Sequence, residues 1–277
     1  MSGILYLCAT PIGNFSDMSE WLIRTLSEVD IIAAEDTRHT VKLLNHLGIK
    51  KPQISYYEHN RYENGVKIID MLKEGKNVAL VSDAGTPAIS DPGEVLVAQC
   101  TEENIRVVPI PGPVAAINAL IVSALPTGRF SFEGFLPMNK RGRTERLEEI
   151  KTDKKTLIFY EAPHKLRRTL ADLLLYLGNR QISLCRELTK IHEEIIRTTL
   201  EEAQSLYSDD NPPKGEFVLV VAPSDEDEKM DFWYGWEIDE HVEYYKKQGI
   251  SEKDAMKQVA KDRDVPKRNI YNEIKKH

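Results

Sequence analysis

The sequence predicts an α/β protein with two successive α/β domains and a small helical region at its end. Three observations predict this. Short apolar runs alternate with segments of helical spacing through the first part of the chain. A breaker, Pro109-Ile110-Pro111-Gly112-Pro113, interrupts the alternation, which then starts again. After Ser224 the composition turns polar, with no further strand-like run. Short apolar runs separated by helices imply strands covered by helices, parallel in the first domain.

Taken in order, the first strands are expected at Ile4–Ala9, Asp30–Ala34, Gln53–Tyr56, Val78–Val81 and Arg106–Ile110. Helical spacing covers Ser19–Val29, Thr40–Leu47, Asn60–Lys73 and Glu94–Glu103. Residues 1–111 are one domain in this reading. Beyond the breaker, Val114–Leu120 is apolar and small on most sides, which predicts a buried helix. Strands follow at Phe130–Phe135, Thr156–Tyr160, Ile182–Cys185, Glu194–Thr198 and Phe217–Val221. Helices are expected at Thr144–Lys151, His164–Leu177 and Leu200–Leu206, giving a second domain over 114–223. An acidic linker spans 224–232, and 233–277 reads as a helix-turn-helix-like tail. There Ser251 caps one helix and Pro266 opens the next.

The chain is long enough for two ordinary domains. No apolar run approaches the roughly 20 residues needed to cross a bilayer, and the first residues enter a strand without a basic leader. Cys8, Cys100 and Cys185 are far apart and lie in or beside apolar segments, which predicts buried thiols in a reducing cytoplasm and no disulfide framework. A net charge of −7 argues against broad affinity for nucleic acid. Local patches differ from the total. Ser224–Glu243 holds nine acids against Lys229, whereas Lys246–His277 holds ten Lys and Arg against five acids. Lys140, Arg141 and Arg143 make a second basic spot. Either patch is compatible with phosphate contacts or with a solvated helix face.

Four loops follow strands of the first domain, and a parallel sheet gathers them on one edge, where α/β proteins place ligands. The first is Ala9-Thr10-Pro11-Ile12-Gly13-Asn14, which lacks the GxGxxG of dinucleotide sites; the chain also has no Walker A loop. The second, Ala34–Thr40, sets Glu35 and Asp36 beside Arg38, with Asp36 or Thr37 also suited to cap a helix. The third carries His59, a candidate proton acceptor or a structural histidine. The fourth is Ser82-Asp83-Ala84-Gly85-Thr86-Pro87, whose small side chains allow close backbone approach. In the second domain Phe159–His164, Arg186–Lys190 and Gly215–Phe217 also border strands, placed to form the facing wall of an inter-domain cleft.

Eight motifs in order, LYLCATPIGNFSD, AAEDTRHT, VSDAGTPAISDPG, PGPVAA, FEGFLP, FYEAPHKL, RELTK and GEFVLVV, resemble the ribosomal RNA small subunit methyltransferase I family. That family belongs to the tetrapyrrole-methylase superfamily of S-adenosylmethionine enzymes. The resemblance covers residues 4 to about 222 densely and implies two α/β domains with S-adenosylmethionine in the cleft between them, a homodimer, and no metal or membrane. It implies 2′-O-methylation of a cytidine in the decoding region of 16S rRNA, on naked rRNA or the assembled 30S subunit. By similarity, Asp83, Ala84, Gly85 and Ala88 line the cofactor, with Val114 and Ala115 beside it. Tyr160, Glu161 and Leu188 come from the second domain, and Pro11 lies near the methyl donor or substrate. TPIGN and DAGTP stand where tetrapyrrole enzymes carry glycine-richer loops, which favours the rRNA branch.

A neutral ribose hydroxyl is a weak nucleophile, and a base helps by about 10²–10⁴. Glu35, Asp36 and His59 are the candidate bases, with Arg38 orienting an RNA phosphate. Lys140, Arg141, Arg143, Lys267 and Arg268 are the expected RNA contacts. Two other readings are a methyltransferase acting on a tetrapyrrole or other small molecule, and a non-enzymatic nucleic-acid-binding regulator built on the tail.

Overall fold

The computed structural model describes residues 2–225, 233 and 235–275. Contacts divide the chain into two compact units, Met1–Ser224 and Asp225–His277. The first unit contains two five-stranded sheets.

The first sheet is built from β1 (Ile4–Cys8), β2 (Ile31–Ala34), β3 (Gln53–Ser55), β4 (Val78–Val81) and β5 (Arg106–Ile110), in the order β3-β2-β4-β1-β5. Every pairing is parallel, so all strand exits meet on one edge. β4 sits at the centre, which is why its four residues, all apolar, are all buried. Its alternate side chains serve opposite faces. Val78 and Leu80 join Leu5 and Ala33 against α3 (Arg61–Lys73) and α4 (Gly93–Glu102). Ala79 and Val81 join Cys8, Ile32 and Ile110 against α1 (Glu20–Glu28) and α2 (Thr37–His46). Capping fixes where these last two helices begin. The Ser19 hydroxyl accepts from Leu22 N at 3.1 Å, and Asp36 Oδ1 accepts from Arg38 N at 2.8 Å. That second cap starts α2 three residues ahead of the Thr40 expected from apolar spacing.

The chain leaves β5 through Pro111-Gly112-Pro113 into α5 (Ala115–Val122). The second sheet holds β6 (Phe130–Gly134), β7 (Thr156–Glu161), β8 (Gln181–Arg186), β9 (Glu194–Thr199) and β10 (Phe217–Val221), ordered β6-β7-β10-β8-β9. Only β6 and β7 are parallel; the other pairs are antiparallel. One face packs on α6 (Lys140–Ile150), α7 (Pro163–Leu177) and α8 (Leu200–Ser205) through Leu157, Phe159, Leu184 and Leu219. The other face, through Ile158, Cys185, Val218 and Val220, packs on Ala116, Ala119 and Leu120 of α5 and on Ile12 from the loop after β1. α5 is therefore buried on one face only, through Ala116, Ala119 and Leu120, while Ile117 and Ile121 are exposed, so the fully buried helix expected from its composition is not what forms. All three cysteines are free and buried, and burial pushes the Cys8 thiol up to about 12.

In the second unit, α9 (Ile238–Lys247), α10 (Glu252–Asp262) and α11 (Lys267–Ile274) share a small core of Val242, Ala255, Val259 and Ile270. Ser251 caps α10 as expected, and Pro266 is the residue just before α11. The acidic linker expected over 224–232 lies, beyond Ser224 and Asp225, outside the described residues. Among the described residues no helix is long and apolar enough to cross a membrane.

Candidate active site

The loops leaving β1 and β4 are stitched together. Thr10 N donates to Gly85 O at 2.9 Å and Gly85 N donates to Thr10 O at 3.1 Å. The Ser82 hydroxyl donates to Gly85 O at 3.2 Å, and Thr86 Oγ1 donates to Pro113 O at 3.0 Å. Gly85 has φ of +81°, and a Cβ there would lie 3.1 Å from Ile12 Cγ2. Glycine is needed both for that backbone angle and for close approach. Further along, Ala88 and Ser90 also take positive φ, 68° and 64°. Asp91 holds that turn, accepting from Ala88 N at 2.9 Å and Gly93 N at 2.8 Å. Such angles cost about 1–3 kcal/mol each and persist only where neighbours impose them.

Opposite these loops stand the end of β7, the β8–β9 connection and the start of β10. With the start of α5 they enclose a cleft of about 380 Å³. Its lining includes Ala84, Gly85, Val114, Ala115, Tyr160, Glu161 and Leu188 from the expected cofactor residues. Pro11, Asp83 and Ala88 are outside the lining, each adjacent in sequence to a residue that is in it. Tyr160 fixes the cleft's corner: its hydroxyl oxygen accepts from Ala116 N at 3.2 Å, tying β7 to the first turn of α5. Burial raises the Tyr160 hydroxyl above its ordinary pKa, more than that hydrogen bond lowers it.

Sequence reading did not name Ile89 and Phe135 as lining residues, whereas Ile12, Glu187, Lys190 and Glu216 lie in stretches it placed at the cleft without singling them out. Glu187, Lys190 and Glu216 form a charged corner. Lys190 Nζ lies 2.9 Å from Glu187 Oε1 and 2.8 Å from Glu216 Oε2. Glu187 Oε1 also accepts from Glu216 N at 2.8 Å. Burial pushes the Glu187 carboxyl up, but the Glu216 amide and the Lys190 ammonium outweigh it and hold the group below its usual range. The Arg186–Lys190 and Gly215–Phe217 stretches were legible as a facing wall, but which side chains enter the cleft depends on where the two stretches meet.

The catalytic candidates separate into two places. Glu35, Asp36 and Arg38 lie beside the loop after β4. Asp36 N donates to Asp83 Oδ1 at 3.0 Å, Asp83 N donates to Glu35 Oε2 at 3.4 Å, and His39 Nδ1 is 3.7 Å from Asp83 Oδ2. Glu35 is raised above an ordinary glutamate, first by burial and then by the charge of Asp83. Asp36 is the reverse. The side chain and the backbone N–H of Arg38, with Nη2 2.6 Å from Oδ2, hold it well below the carboxylate range. His59 belongs to the loop after β3, an edge strand, where it meets Tyr57 edge-on at 6.2 Å. No hydrogen bond or ion pair joins it to the Glu35 cluster.

The expected RNA residues also divide. Asn139 caps α6, accepting from Gly142 N at 2.8 Å, so the expected basic loop is the first turn of a helix. Lys140 and Arg141 are exposed there, with Arg141 Nε 2.7 Å from Glu145. Arg143 does not fit the expectation. It is 6% exposed, with Nε 2.6 Å from Asp172 Oδ2 and Nη2 donating to Thr169 Oγ1 at 2.8 Å, so its guanidinium is committed inside the protein. Lys267 and Arg268 open α11 in the second unit, Arg268 exposed and Lys267 partly buried.

The model of the tetrapyrrole (corrin/porphyrin) methylases matches residues 5–204. A "Ribosomal RNA small subunit methyltransferase I" of Halalkalibacterium halodurans is 54% identical, covering 98% of this chain and 94% of that protein. A protein of the same name from Bacillus subtilis is 48% identical over 98% of this chain and 93% of its own length. Among solved structures, uroporphyrin-III C-methyl transferase from Thermus thermophilus, complexed with S-adenyl homocysteine, superposes with a TM-score of 0.55. It covers 79% of this chain and 97% of that one at 19% identity, a likeness of fold. With two sheets, a cleft between them and relatives of this similarity along nearly its whole length, the chain belongs to the tetrapyrrole methylase family, in its ribosomal RNA small subunit methyltransferase I branch.

Proposed function

We propose that the protein transfers a methyl group from S-adenosylmethionine to small-subunit ribosomal RNA, at the ribose 2′-oxygen of a cytidine in the decoding region. The observation that carries the reading is the near-complete match to relatives named for small-subunit rRNA methylation. The cleft fits the cofactor: about 380 Å³, with Ala84–Thr86 contributing small side chains and backbone, and Ile12, Val114 and Leu188 contributing apolar surface. A mostly apolar site with a few placed polar groups suits an adenosine bearing an amino-acid tail.

When bound, S-adenosylmethionine supplies an electrophilic sulfonium methyl. Gly85 permits close backbone approach, and Leu188 and Phe135 add apolar surface to the cleft wall. The attacking oxygen is held in line by contacts flanking its nucleotide, which supplies much of the acceleration. A base beside the cleft would take the 2′-hydroxyl proton as the methyl is accepted. Of the two carboxylates, Glu35 suits the role better, because burial and the neighbouring Asp83 raise its proton affinity, whereas Asp36 is held as a stabilised anion by Arg38. In this reading Arg38, paired with Asp36 but 87% exposed at its side chain, orients an RNA phosphate. Lys140, Arg141, Lys267 and Arg268 hold flanking backbone. A cytoplasmic homodimer acting on 30S subunits or on their rRNA completes the reading.

The test is to map ribose methyls by resistance to alkaline cleavage, on rRNA from subunits incubated with protein and S-adenosylmethionine. A single new protected position at a cytidine of the decoding region is expected. Methylation on a base, or none on rRNA, contradicts the proposal.

A further inference from the structure

We infer that Arg143 and Thr169 are positioning residues for the cleft, acting through Glu161 by a buried chain of hydrogen bonds. The inference rests on reading the cleft as the cofactor site. The chain begins on α6, where the Arg143 guanidinium is almost fully buried. A buried charge is costly unless paired, and an aliphatic side chain would hold α6 to α7 without that cost. What an aliphatic residue lacks is the fork. Arg143 Nε is spent on Asp172 Oδ2 at 2.6 Å, which neutralises it. Nη2 donates to Thr169 Oγ1 at 2.8 Å. With its oxygen accepting there, the Thr169 hydroxyl donates onward to Glu161 Oε2. Glu161 is 4% exposed, and its other oxygen, Oε1, accepts from Ala162 N at 2.9 Å.

Every donor along this chain faces an acceptor in one sense, so no member is free to rotate without orphaning the next. The chain ends where the cleft begins: Glu161, Ala162 and Pro163 are consecutive lining residues. Ala162 occupies the N-cap of α7 and has no capping side chain of its own. Glu161's carboxylate, held by Thr169, takes one of the backbone donors of that turn. Arg143 thus fixes Thr169, Thr169 fixes Glu161, and Glu161 fixes the wall. Displacements of about an ångström in such a wall are enough to weaken binding and catalysis.

The test uses the full chain with Thr169→Val, Thr169→Ser and Thr144→Val. Val has nearly the shape of Thr without the hydroxyl, and Ser restores the hydroxyl. Thr144 Oγ1 lies 3.2 Å from Tyr176 Oη, joining α6 to α7 apart from Glu161, so it controls for general loosening. Two quantities are read: calorimetric affinity for S-adenosylmethionine, and amide hydrogen exchange of Ala162, which needs no cofactor. Thr169→Val is expected to weaken affinity about tenfold and to speed Ala162 exchange. Thr169→Ser stays near wild type, and Thr144→Val leaves both readings unchanged. Unchanged exchange in Thr169→Val, or equal effects in Thr144→Val, overturns the inference. If the wild-type chain binds no S-adenosylmethionine, the cofactor reading fails, and the exchange result still decides the relay.

Discussion

Glu35 and Asp36 are adjacent carboxylates with opposite environments, and that difference is the ground for proposing Glu35 rather than Asp36 as the base. Asp36 accepts from both the backbone and the side chain of Arg38, which stabilises its anion and makes it a poor proton acceptor. Glu35 is half-buried against Asp83, which destabilises its anion and makes it a better one. The sequence displayed both residues but not their ranking, since the Asp83 that separates them arrives from 47 positions away. Glu35→Gln is expected to lower kcat by about 10²–10⁴ while leaving cofactor affinity unchanged; Asp36→Asn lowers it much less. A base works only when ionised, so the rate rises with pH through the raised pKa of Glu35 and levels above it. That acid limb lies higher than an ordinary glutamate would put it and disappears in Glu35→Gln. The stability sign is opposite. A raised carboxyl pKa means the folded state binds the proton more tightly, so Glu35 destabilises the fold above its folded pKa, and that cost is relieved as pH falls through it. Single-turnover rates across pH check the first statement, and melting of Glu35→Gln across pH the second.

At the scale of elements, the first sheet was legible because buried parallel strands are apolar on both faces, as Val78–Val81 shows. The antiparallel pairs of the second sheet were not, because orientation is decided by which distant segments pair: β10 inserts between β7 and β8. The pairing within the corner of Glu187, Lys190 and Glu216 was hidden for the same reason, Glu187 and Glu216 being 29 residues apart in sequence. The start of α6 was legible but misjudged. Asn139 ahead of a charged run is an N-cap. Arg143, Leu147 and Ile150 share one helical face, all three buried, so Arg143 is turned inward and Lys140 and Arg141 outward. Replacing Lys140 and Arg141 together by Ala is expected to weaken rRNA binding and reduce the magnitude of the log–log salt slope by about 2. Cofactor affinity stays the same. Filter binding across salt concentrations, paired with calorimetry, reads both.

For the molecule as a whole, the cleft belongs entirely to Met1–Ser224, since all its lining residues fall there. The second unit has its own core and its own polar centre. In it His241 Nδ1 accepts from Arg263 Nε at 3.2 Å, and Nε2 lies 3.2 Å from Asp262. The basic balance of that unit after Lys246 was visible in the sequence; its separate packing was not, because it depends on how three short helices share one core. Deleting residues 233–277 is expected to weaken rRNA binding and leave cofactor affinity nearly intact, as gel shift and calorimetry would register. On the proposed reading the first unit holds the methyl donor and the basic residues of the second hold flanking RNA. That reading is tested most directly by transfer of tritiated methyl from S-adenosylmethionine, with 30S subunits, deproteinised small-subunit rRNA and a porphyrinoid as competing acceptors. The account predicts label in the rRNA of one or both ribosomal samples and none in the porphyrinoid. Label in the porphyrinoid and none in rRNA would contradict it.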